Sequence, residues 1–185
     1  MESAHFLLKR STYVYVSIVI YVCAFLFFVY IGLYSDNLKN IENNSGDIIK
    51  ENYLIGDNSV QTFSRILLNN EIYIIKNYIG IFTFGIYPVI LLWFNASFFG
   101  IIVGRVISEK GLQFVFIHTL PHSIELVAVI LAAADSIFLG IIIFLKYLKY
   151  YNCEIKYRMY FHNFVYYIVI ILIAAFIETY VSFKI

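Results

Sequence analysis

The sequence predicts an all-α, polytopic membrane protein with a broken or re-entrant helical pair around Pro121. Three observations carry that class. Hydrophobic residues make up 62% of the chain and charged ones only 14%, with a mean hydropathy of +0.82, well beyond the apolar share of soluble domains. Several apolar runs reach the ~20 residues that a helix needs to cross about 30 Å of hydrocarbon. Polar residues interrupt one of those runs around a proline, in FIHTLPHSIELVAVILAAADS, residues 116–136.

The first span is YVYVSIVIYVCAFLFFVYIGLY, 13–34. Lys9 and Arg10 precede it, but it is too long for a cleaved signal and lacks a small-x-small site. It reads as a retained signal anchor with its N-terminus in the cytoplasm. Residues 35–62 are polar, Asn-rich and net acidic, which suits an external loop. In 63–78, Phe63, Ile66, Leu67, Ile74 and Tyr78 recur at helical spacing, interrupted by Arg65, Asn69, Asn70, Glu71 and Lys76. That mixture predicts a helix lying in the membrane interface.

A second span covers 79–104, with a kink expected at Pro88. Its Gly100 and Gly104 form a GxxxG pair, which permits close approach of another backbone, and Asn95 offers a hydrogen bond between helices. Arg105 and Lys110 mark a short cytoplasmic loop. Residues 146–160 form a second basic loop, with Lys146, Lys149, Lys156 and Arg158 against Glu154, also cytoplasmic by the positive-inside rule. The last span is 161–182. Parity then requires 111–145 to enter and leave by one face, as a re-entrant hairpin or as two short spans. A continuous helix of that length would reach about 50 Å, and Pro121 is the natural break.

Within this segment His118, His122, Glu125 and Asp135 are ionisable groups at membrane depth, which are candidates for function. After a break at Pro121, His122 and Glu125 share a helix face. Glu125 or Asp135 is expected to pair with a group from another span. Three readings stay open. H-x3-H-x2-E offers zinc-type ligands, but the intervening proline spoils i, i+4 geometry, so no metal is expected. A proton or substrate relay suits His and carboxylates. A structural role, in which buried polar groups satisfy one another, is the commonest of the three.

Other classes are excluded or unsupported. There is no G-x-S-x-G, no Walker A and no dinucleotide glycine pattern, so neither enzyme activity nor a cofactor is expected. The net charge of +1, with no basic stripe, gives no basis for nucleic acid as a partner. Cys23 and Cys153 define no disulfide framework. The bias to Ile, Tyr, Phe, Asn and Lys suits an AT-rich bacterial genome, so the expected location is a bacterial cell membrane. The lipid bilayer is the first partner.

Three motifs together resemble the stage II sporulation protein M family. FSRILLNN resembles its F-x-x-I-x-x-x-N segment, and GIYPVILLWFNASFFGIIVG its Gly-rich span. LPHSIELVAVILAAADSIFLG is similar to its P-H-G-x-x-E-L-x-A signature, with Pro121, His122, Glu125, Leu126 and Ala128 at the matching places. The resemblance covers roughly 60–145. Ser123 and Ala96 stand where the family has glycine, and Asp135-Ser136 where Ala-Gly is more typical. The resemblance implies an integral membrane subunit that works with partners. One such partner is a cytoplasmic ABC-type ATPase in an export or bacteriocin-immunity system, or another membrane subunit. The alternative is a scaffold for enzymes that remodel peptidoglycan. A homo-oligomer is also expected.

Overall fold

The computed structural model describes residues 9–34, 59–150 and 155–180. Its elements are α1 (Arg10–Tyr34), α2 (Ser59–Ile79), a 3-10 turn at Gly80–Thr83, α3 (Ile86–Lys110), α4 (Leu112–Tyr147) and α5 (Tyr157–Tyr180). No strand occurs among the described residues. The expected external loop at 35–62 lies outside them up to residue 58, as do 151–154 of the basic loop and the end of the last span. Four helical stretches are long and apolar enough to cross a bilayer: α1, α3, Ser123–Tyr147 of α4, and α5. The chain is therefore an all-α, multi-pass membrane protein.

Side-chain contacts fix how the helices run. Tyr21 meets Asn95, Phe25 stacks on Phe99 and Gly32 lies against Gly104, so α1 and α3 are parallel. Phe63 packs on Tyr180 while Tyr78 packs on Phe164, so α2 stands antiparallel to α5 along its whole length. Arg10 and Tyr13 sit beside Asp135 and Phe138, and Phe138 also meets Tyr160. Five helices thus alternate in direction. One end of the bundle carries Arg10, the 80–85 turn and residues 147–157. The other carries Tyr34 and Gly111.

Two expectations are corrected here. The helix expected to lie in the interface stands upright, with Ile74 and Asn77 fully buried and Ile74 packed among Tyr21, Leu92, Ala128 and Ile171. Its inward face is apolar enough to enter the core, although its outward face is not. The broken pair around Pro121 is instead one 36-residue helix, α4. Proline removes one backbone donor, its own, but not the helix, which runs on through it and bonds hydroxyls on either side back to its own carbonyls. Thr119 Oγ1 donates to the Val115 carbonyl (2.9 Å) and Ser123 Oγ to that of Thr119 (3.1 Å).

Residues 111–145 therefore do not enter and leave by one face. At 1.5 Å per residue α4 is about 54 Å long, so Arg105 and Lys110 lie at the opposite end of the bundle from Lys146 and Lys149. The single cytoplasmic face expected for both loops does not exist. An upright α2 adds the reversal that an interfacial helix would not. Pro88 is also no kink. It is the third residue of α3, in the first turn, where a missing N–H goes unnoticed.

α4 is the axis of the bundle. Its apolar stretch is 67% buried, against 22%, 33% and 28% for α1, α3 and α5. Ala128, Ala132, Ala133 and Ala134 are all fully buried, and small side chains there let four helices crowd around one. Between α2 and α3 the chain turns through Phe84 (φ 54°) and Gly85 (φ 86°). A side chain on Gly85 would collide with the Ile137 backbone, and one on Gly140 with Phe84 and Gly85, so this turn lies directly on α4.

Candidate functional site

The polar centre of the bundle is built on Asp135. α4 places it among alanines, and its side chain is fully buried. A lone carboxylate there would be costly; paired and hydrogen-bonded, it is tolerated. Arg10, in the first turn of α1, donates from Nε to Asp135 Oδ1 at 2.5 Å. From α5, Asn163 Nδ2 and the Tyr167 hydroxyl each donate to Oδ2 at 2.8 Å. Arg10 Nη2 closes the ring by donating to Tyr167 Oη at 2.9 Å.

The result is an electrically balanced clasp joining α1, α4 and α5. Its carboxylate accepts three bonds and its guanidinium donates two. Arg10 remains 38% exposed, so the ring reaches the surface along that side chain at the Arg10 end. One residue on, Ser136 Oγ donates to the Asn77 carbonyl at 2.5 Å. Asn77 Nδ2 donates to Tyr73 O at 3.0 Å, and the Tyr73 hydroxyl donates to the Leu91 carbonyl. These bonds tie α2 and α3 to the same level of α4.

The other sequence candidates fall in separate places. Glu125 is 2% exposed, on α4 ten residues before Asp135 and about 15 Å from it along the axis, so the two carboxylates form no shared site. The side chains of His118, Pro121 and His122 lie outside the described ones, although their backbone is helical. Among the described residues no three His, Cys, Asp or Glu side chains gather as a metal site would require. Asn95 Oδ1 accepts from the Tyr21 hydroxyl at 3.3 Å. Gly100 and Gly104 receive α1: a side chain on either would meet the Phe25 or Val29 carbonyl. Lys146, Lys149, Lys156 and Arg158 are exposed at the Arg10 end of the bundle.

Arg10, Asn163 and Tyr167 were not legible as partners of Asp135. Arg10 reads as a charge that orients a signal anchor, which masks its second use. The available signal was the carboxylate itself, since an aspartate within a span needs a donor, but several cations flank the spans and none is singled out by the sequence.

These features define a polytopic helical membrane protein whose central helix is anchored by a buried ion pair. The chain belongs to the stage II sporulation protein M (SpoIIM) family, whose model matches residues 17–183. That match takes in all of α2 to α5 and most of α1. No match was found among curated proteins, nor among solved structures.

Proposed function

We propose that the chain is a non-enzymatic membrane subunit of an ABC-type export or immunity system and works with a separate ATPase. The observation that carries this reading is the charge at one end of the bundle. Lys146, Lys149, Lys156 and Arg158 are all exposed there, and Lys156 and Arg158 line an open surface depression of about 700 Å³ together with Ile155, Tyr157, Met159 and His162. By the positive-inside rule this end faces the cytoplasm, where an ATPase is found. The concave basic surface gives an acidic face on that ATPase something to grip.

The second reading, an anchor for enzymes of the cell wall, is supported by the close packing of α4, whose alanine face suits a rigid support. An affinity pull-down of the tagged protein from native membranes separates the two. The expected result is a stoichiometric ATPase that is lost when Lys146, Lys149, Lys156 and Arg158 are changed to Glu. A cell-wall hydrolase without an ATPase defeats the first reading in favour of the second.

A further inference from the structure

We infer that the foot of α5 binds one anionic phospholipid, with its phosphate held by Lys156 and Arg158 and an acyl chain laid along the outer face of the helix. The inference does not rest on the ATPase reading: it engages two of the basic side chains at this end and leaves Lys146 and Lys149 to that partner. It starts from what lines the open depression there. Lys156 and Arg158 stand with His162 and with Ile155, Tyr157 and Met159, and no acidic residue is among them. Among the described residues neither Lys156 nor Arg158 has an ion-pair partner. A carbonyl only accepts, so His162 Nδ1 donates to that of Arg158 at 2.6 Å, which fixes the ring as one wall.

Depth identifies the ligand. α5 has 24 residues and is about 36 Å long, against about 30 Å of hydrocarbon, so its first turn lies among headgroups. Arg158 and His162 begin a stripe that continues through Val165, Val169, Ile173 and Phe176, all exposed, in steps of three and four. The four apolar members are 44% to 56% exposed. They lie on the side of α5 opposite Tyr160, Tyr167, Ile171 and Ala174, which are buried. One face thus carries cations at headgroup depth and an uninterrupted apolar surface at chain depth. That is the profile of a phospholipid.

Charge and reach select this occupant over others. A zwitterionic headgroup brings its own cation to two cations, whereas an anionic one complements them, and basic pockets at the ends of membrane helices hold such headgroups. Free phosphate is drawn by the same cations but makes no use of the apolar stripe below them, and so binds more weakly than the whole lipid. An acidic soluble protein cannot follow the stripe into the hydrocarbon.

The test is native mass spectrometry of the full chain, purified in mild detergent and mixed with phosphatidylglycerol or phosphatidylcholine. Phosphatidylglycerol should be retained one to a chain and about thirtyfold more tightly, the equivalent of about 1 kcal/mol for each of two basic side chains. Lys156→Gln with Arg158→Gln should abolish that preference, and Lys146→Gln with Lys149→Gln should leave it intact. At one lipid per unaltered chain, phosphatidylglycerol with a photoreactive acyl chain should label α5 at Val165 or Val169. It should not label Val19 or Leu26 on the outer face of α1, although both are 59% exposed. The inference is overturned by equal retention of the two lipids, by a preference that survives the Lys156 and Arg158 changes or is lost with the Lys146 and Lys149 changes, by label on α1 in place of α5, or by displacement of the lipid with equimolar inorganic phosphate.

Discussion

Arg10→Ala should destabilise the protein by about 3 kcal/mol, at the low end of the 3–5 kcal/mol typical of breaking a buried pair by removing one partner. The loss arises because Asp135 stays behind, fully buried, with a charge that two neutral donors from α5 cannot balance. The partial exposure of Arg10 keeps the effect at the low end, because water reaches the vacated position. Removing both charges is different. In Arg10→Met with Asp135→Leu no unpaired ion remains, and replacing a buried pair by apolar groups is often neutral. The double variant should therefore be more stable than Arg10→Ala. Equilibrium unfolding in mild detergent measures this, and a double variant as unstable as the single one would show that the clasp is not electrostatic in origin.

Gly104→Leu should separate α1 from α3. A Cβ at this position runs into the Val29 carbonyl oxygen and lies about 3.0 Å from Gly32 Cα. Both obstacles are backbone, so no rotamer change relieves them. Overpacking of a fitted core costs about 1–3 kcal/mol where side chains can adjust, and here they cannot, so the upper end or beyond is expected. Gly111→Ala is the control. A side chain there meets nothing, and its cost comes only from a φ of 84°. Thermal unfolding that ranks Gly104→Leu no worse than Gly111→Ala would remove the α1–α3 contact from the account.

How much of this was legible in the sequence depends on which force decided each element. Three apolar helices, α1, α3 and α5, were readable because hydrophobicity and length alone determine them. Gly100 and Gly104 were readable as a close contact, but not its partner, since two glycines describe a gap and not what fills it. α2 was misplaced because polar residues on one face were taken as a sign of the interface. Its other face, with Ile74 and Asn77, decides its position by packing, and packing is not local. The break expected at Pro121 does not occur for a related reason: a proline costs a helix one local bond, and α4 is held as one helix by packing along its length. Arg10 was visible only as a topological charge, and its bond to Asp135 spans 125 positions of sequence.

The central claim is that five helices alternate through the bundle, with α4 running unbroken from one end to the other. Cysteines at Ser108 and Tyr150, both exposed, test it most directly in a chain with Cys23 and Cys153 replaced by Ser. A membrane-impermeant maleimide should label one of them only from outside the cell and the other only in inverted vesicles. Labelling of both from the same side would mean that the chain turns back between them, and the unbroken α4 would be wrong.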